Sequence, residues 1–205
     1  MKTKSQVAIS FLMLAGAAGA ANASIELIGN LTTDPLEFKT GGIDDVQIKA
    51  VSFTLPVGDD YGFRSLTVAL DDAGPGKTFF GRIVTAGGQN PGTTVLSTVT
   101  INDPVNGYNT ATPDTPFTFV GGETYWLIFA AGPDDNLILT GGEPDITPTG
   151  IATFGSYRLF RQFTPTFGRW NNSTAFNAFS IDVVPTPAAA TLLAMGGIAA
   201  SRRRR

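Results

Sequence analysis

The 205-residue chain contains no cysteine and no histidine. Without cysteine there is no disulfide framework, so an exported domain of this sequence relies on its hydrophobic core for stability. Without histidine the commonest general base, the commonest transition-metal ligand and the usual near-neutral pH switch are missing. Zinc sites, haem sites and His-dependent catalytic triads are disfavoured with it. Charge is also sparse, at 15% of residues, and unevenly placed. Lys2, Lys4 and Arg202–Arg205 take six of the fourteen basic residues, which leaves residues 24–184 with eight Lys/Arg against seventeen Asp/Glu, a net charge of -9. Such an acidic exterior argues against nucleic acid and anionic lipid surfaces as partners. It suits a soluble extracellular protein or one that gathers divalent cations. Long apolar runs are lacking as well: those at the two ends are shorter than the ~20 residues that a permanent helical span needs.

What is present at the ends reads as a pair of addresses. Lys2 and Lys4 form a positive region, Val7 to Ala20 an apolar one, and Ala21-Asn22-Ala23 places small residues where signal peptidase inspects them. This pattern predicts a signal helix over residues 1–23 and cleavage before Ser24. At the other end Val184-Pro185-Thr186-Pro187 precedes thirteen small or apolar residues, Ala188 to Ala200, then Ser201 and Arg202, Arg203, Arg204 and Arg205. The prolines separate the folded body from a short apolar helix, and the arginines favour a cytoplasmic end. Both signals place the body, residues 24–183, outside the cytoplasm.

The C-terminal arrangement of residues 184–205 resembles the PEP-CTERM sorting signal of Gram-negative bacteria, with Thr186 standing where the usual pattern has Glu. The resemblance implies handling by signal peptidase and then by an exosortase-like membrane transpeptidase that cuts near the motif. The inner membrane would hold the protein only transiently, before the cell surface or the extracellular space. An ordinary uncut tail anchor is the alternative.

The body reads as all-β. Apolar and polar residues alternate in Phe53–Leu55, Leu66–Leu70, Phe117–Phe119 and Phe179–Val183, the period of strands that bury one face. Strands are expected at about 25–31, 35–40, 46–55, 64–70, 79–85, 94–101, 116–120, 124–131, 136–140, 156–163 and 176–183. Tyr125-Trp126-Leu127-Ile128-Phe129 is apolar on both alternating faces and is expected to be central and doubly covered. The connections are too short for helical crossovers, which favours an antiparallel β-sandwich, jelly-roll-like, over any parallel α/β arrangement. Residues 141–150 form the longest poorly patterned stretch and read as a surface loop.

Several stretches together resemble the choice-of-anchor extracellular β-domain family, its R-type in particular. They are Val51-Ser52-Phe53, Ser65-Leu66-Thr67-Val68, Gly81-Arg82-Ile83-Val84, the loop Gly88-Gln89-Asn90-Pro91-Gly92 followed by Val95-Leu96, and Gly121-Gly122-Glu123-Thr124-Tyr125-Trp126-Leu127. Trp170 and Phe179-Ser180-Ile181 follow in order. The resemblance implies an extracellular sandwich joined to a variable C-terminal anchor, and it carries over no catalytic residue.

Candidate chemistry is thin. Gly74-Pro75-Gly76-Lys77-Thr78 echoes a phosphate-binding loop, but the first glycine position holds Asp71 and Phe79-Phe80 opens a strand, so a turn is expected. Paired acids recur in loops, and Asp59, Asp60, Asp134 and Asp135 are the candidate Ca²⁺ ligands, carboxylates and loop carbonyls being what calcium takes. No motif selects a carboxylate pair for glycoside hydrolysis. The last candidate is aromatic and basic: Trp170 with Arg158, Arg161 and Arg169, interleaved with Tyr157, Phe160, Phe163 and Phe167. Rings stack on sugars and Arg binds acidic groups in a bidentate manner. Asn171-Asn172-Ser173-Thr174 reads as a turn. The expected molecule is therefore a non-enzymatic surface or matrix protein, with exopolysaccharide as its expected neighbour. The alternatives are a weak carbohydrate-binding or carbohydrate-modifying protein and a Ca²⁺-stabilised adhesive module.

Overall fold

The computed structural model describes residues 23–186 except 37, 45, 142–146, 165–166 and 175–176. The two expected terminal helices, and with them Ala21, Pro187 and Arg202–Arg205, lie outside the described residues, as do residues 142–146 of the 141–150 loop.

The described residues form thirteen strands: β1 (Ile25–Gly29), β2 (Phe38–Ile43), β3 (Gln47–Thr54), β4 (Tyr61–Asp71), β5 (Thr78–Gly87), β6 (Asn90–Asn102), β7 (Gly107–Ala111), β8 (Thr118–Phe119), β9 (Thr124–Ala131), β10 (Leu137–Gly141), β11 (Thr153–Thr164), β12 (Phe167–Asn172) and β13 (Phe179–Pro185). Two antiparallel sheets result. One runs β1-β13-β4-β10-β2, with β7 and β8 also paired to β4; the other runs β12-β11-β3-β9-β5-β6. The all-β, antiparallel reading of the sequence holds.

Between the sheets lies one core. Leu66, Val68, Leu139 and Ile181 of the first sheet meet Val51, Phe53, Ile83, Leu127 and Phe129 of the second, all fully buried. These are the alternate residues that period two assigns to an inward face. Aromatic rings fill one end: Phe119 packs edge-on against Phe53, Phe117 and Tyr125, at 5.9, 4.9 and 5.3 Å between centroids. Strand β9 is central in its sheet, between β3 and β5, and covered on both sides as its composition demanded. Its outward Trp126 and Ile128 join Ala50 and Val84 in a second, smaller cluster, with Ile48 and Trp170 packed against it.

Some expectations need correction. β2 begins at Phe38 rather than 35, because Pro35 and Leu36 form a turn, and it extends through Gly41 and Gly42 by pairing with β10. The strand expected at 116–120 shrinks to Thr118–Phe119. β7 and β12 were not expected. β7 carries Asn and Gly, residues that disfavour strands, and exists because β4 offers it a ladder from Leu66 to Leu70. β13 starts at Phe179 and continues through Pro185, paired to Tyr61 of β4.

Candidate functional site

The aromatic and basic candidates are carried by the β11–β12 hairpin, and its ladder divides them. Phe160 stands opposite Trp170, and Arg158 lies two residues along β11 from Phe160, so these three share the outward face of the second sheet. The Phe160 and Trp170 rings lie 5.3 Å apart. Both are half-buried, Trp170 against the outer cluster of Trp126 and Ile128. Gly168 makes room for this pair, since a Cβ there would lie 2.2 Å from Phe160 Cζ. Arg161 and Arg169 stand opposite each other on the other face of the hairpin, both exposed, and Arg161 donates to Gln47 Oε1 at 3.0 Å.

Arg158 does more than display charge. Its Nε donates to the Gln89 carbonyl at 3.1 Å, at the tip between β5 and β6. In sheet order β3 and β9 lie between β11 and β5, so this bond spans the outer face. The ladder of β5 with β6 is irregular on either side of Val84, which bends the tip. Nearby on the same face Arg82 sits 5.1 Å over the Phe80 ring. From Thr153 to Asn172 the chain holds three arginines and no acid, within a body of net charge -9.

The four acids proposed for calcium do not converge. Asp60 Oδ1 accepts from Gly121 N at 2.9 Å, at the start of β9, whereas Asp135 Oδ2 accepts from Thr78 N at 2.8 Å, beyond its end. Eight residues of strand, ~3.3 Å each, separate the two places by about 25 Å. No group of three His, Cys, Asp or Glu that could hold a metal ion comes together among the described residues. Near Asp135 a cation is already present: the Lys77 ammonium donates to the Asp72 carbonyl and to the Asn136 carbonyl at 2.8 Å, and lies 3.4 Å from the Asp72 carboxylate. The turn that echoed a phosphate loop thus folds its lysine back on its own neighbours.

Of the sorting and cleavage residues, Ala23 and Ser24 are exposed ahead of β1. Val184 and Pro185 end β13, opposite Gly62 and Tyr61. Thr186 donates to the Asp60 carbonyl twice, from N at 3.0 Å and from Oγ1 at 2.8 Å.

A polar centre inside the sandwich was missed by sequence reasoning. Lys49 of β3 points inward between the neighbours Phe129 and Leu159 and is 3% exposed. Its Nζ donates to Asn177 Oδ1 at 3.2 Å, and Asn177 is fully buried. The Tyr157 hydroxyl donates to the Asn177 carbonyl at 3.3 Å and is hydrogen-bonded to the Asn30 side chain. Asn30 Oδ1 accepts from Phe179 N at 3.1 Å. Gly41 flanks the amine, a Cβ there falling 3.8 Å from Nζ. Thr140, whose carbonyl accepts from Ala178 N at 2.8 Å, buries an Oγ1 with no hydrogen-bond partner among the described residues. Burial lowers the Lys49 pKa to about 8. Burial also keeps the Tyr157 phenol protonated far above its ordinary range, outweighing its two hydrogen bonds. The signal was in the sequence: Val51 and Phe53 face inward, so period two carries Lys49 inward as well.

No protein-family model matches this chain, and no curated protein matches it in sequence.

Proposed function

We propose that the chain is an exported, non-enzymatic surface or matrix protein that contacts acidic exopolysaccharide through its β11–β12 hairpin. The observation that carries this reading is the hairpin's composition and arrangement: three arginines without a carboxylate on an otherwise acidic body, Arg158 sharing a face with the Phe160–Trp170 ring pair and Arg161 and Arg169 exposed on the other. A sugar ring lies flat on an aromatic face, and a uronate or sulfate takes paired hydrogen bonds from guanidinium groups. The signal-peptide and PEP-CTERM-like patterns support delivery to the cell surface through signal peptidase and an exosortase-like enzyme. The choice-of-anchor resemblance agrees with that destination. Connections that repeatedly cross between the sheets, with the order β1-β13-β4-β10 in one of them, support a jelly-roll-like sandwich.

The test is retention of the purified full chain on immobilised acidic polysaccharide against neutral dextran, in low salt. Trp170→Ala and Arg161→Ala each weaken binding at least about tenfold, the loss expected for one stacked ring or one charge-assisted contact. Equal retention on both matrices, or unchanged binding by both variants, overturns the reading.

A further inference from the structure

We propose that Lys49 and Asn177 form an intramolecular isopeptide bond between Nζ and Cγ, with release of ammonia. The amine and the carboxamide are already in contact, 3.2 Å from Nζ to Oδ1, and both side chains are sealed from solvent. Aminolysis of an amide is very slow between free groups. Fixing two groups in place is worth effective concentrations of ~10⁵–10⁸ M, and burial excludes the water that would compete for the carbonyl.

The neighbours hold the carboxamide where the amine meets it. Tyr157 fixes the Asn177 backbone through its carbonyl, and Asn30 fixes Phe179 two residues on through its amide. Gly41 lies beside the amine, where even an added Cβ would stand 3.8 Å from Nζ, at ordinary contact distance. A buried amine is also more often unprotonated: with its pKa near 8, about half of the molecules carry a nucleophilic Lys49 at that pH.

The step balances without a co-reactant. The Nζ lone pair attacks Cγ and a new C–N bond forms. The Cγ–Nδ2 bond breaks, and Nδ2 departs as ammonia carrying one proton from the attacking amine. An oxidant or a nucleotide is not needed. The product is a neutral secondary amide in place of a buried cation, which removes the desolvation cost of that charge. It ties β3 of one sheet to the residue that leads into β13 of the other, across 128 positions of sequence.

Intact-mass spectrometry of the purified full chain tests this, followed by tryptic mapping after incubation at pH 8. The expected result is a mass one ammonia below that of the sequence, a branched peptide joining Lys49 to Asn177, and no cleavage after Lys49. Both signatures vanish in Lys49→Met. An unshifted mass with free cleavage after Lys49 overturns the proposal and leaves the contact a hydrogen bond. A shifted mass without the branched peptide overturns it equally, because a backbone succinimide, for instance at Asn106-Gly107, also releases ammonia.

Discussion

Lys49 shows how one residue sets a pH dependence for a whole sandwich. While its amine is not acylated, its pKa in the folded chain is about 8, against 10.5 for an ordinary lysine, with burial as the cause. The native state therefore loses this proton before the unfolded state does. Below pH 8 both states hold it, and the folded chain bears the full cost of a buried charge. Between about pH 8 and 10.5 the unfolded chain binds more protons, so stability rises with pH across that window. The rise attributable to Lys49 is on the order of 3 kcal/mol at most. Urea unfolding of the unlinked chain and of Lys49→Met, at pH 7.5 and 10, isolates it as a difference, since other alkaline titrations cancel. Wild type gains on the variant as pH rises; parallel curves would mean that the amine is solvated or already acylated. Tyr157 acts in the opposite sense toward the top of this range, because its phenol stays protonated in the folded chain while the unfolded chain starts to lose that proton near its ordinary pKa of 10; this loss is common to wild type and variant.

At the scale of elements, the β11–β12 hairpin ends the second sheet, with β12 as its edge strand and a tight contact inside the hairpin itself. Gly168 lies under the Phe160 ring, and an added methyl would collide with Cζ at 2.2 Å and with Cε1 at 2.8 Å. The end of a flexible side chain yields before backbone does, so in Gly168→Ala the ring swings off Trp170. The expected outcome is a shifted Trp170 fluorescence and a loss of polysaccharide retention close to that of Trp170→Ala. Stability changes by less than about 1.5 kcal/mol, because neither ring belongs to the core between the sheets. Shifted fluorescence with unchanged retention would place the binding surface elsewhere. Such elements were unequally legible from sequence. β4, β9 and β13 announce themselves because burial on one or both faces writes apolar residues at a fixed period. β7 and β12 do not: Gly107-Tyr108-Asn109-Thr110-Ala111 and Phe167-Gly168-Arg169-Trp170-Asn171-Asn172 have weak strand preferences, and tertiary pairing makes them strands. The basic and aromatic candidates were visible as types. Their division between two faces depended on hairpin register, which has no trace in composition. Lys49 was visible as an inward position, but Asn177 lies 128 residues away and only the fold brings them together.

For the whole molecule, β13 decides where the body ends. It is interior in its sheet, paired to β1 on one side and to β4 on the other. Val183 is fully buried in the core, Val184 and Pro185 complete the ladder with β4, and Thr186 is tied to Asp60 by two hydrogen bonds. The folded body thus takes up the first three residues of the Val184-Pro185-Thr186-Pro187 motif. A sorting enzyme that cuts upstream of them has to peel this end of β13 from β4 and would leave a weakened product. Two truncations measure the boundary. A chain ending at Thr186 unfolds at the same urea midpoint as a chain of residues 24–205. One ending at Asp182 loses a buried valine and its share of the ladder, a destabilisation of at least about 3 kcal/mol. If sorting leaves a stable product, mass spectrometry of the exported protein finds its C-terminus at Thr186 or beyond. A terminus before Val184 on a protein that still unfolds cooperatively at the full midpoint would show that the final turn of the ladder is dispensable. The motif would then belong to the tail alone. An isopeptide at Lys49–Asn177 sharpens the contrast, because it anchors the entry to β13 covalently and leaves only the strand's far end to be opened. In the linked protein, truncation at Asp182 should therefore cost less than in Lys49→Met carrying the same truncation, and comparing the two midpoints measures how far the bond supports the strand.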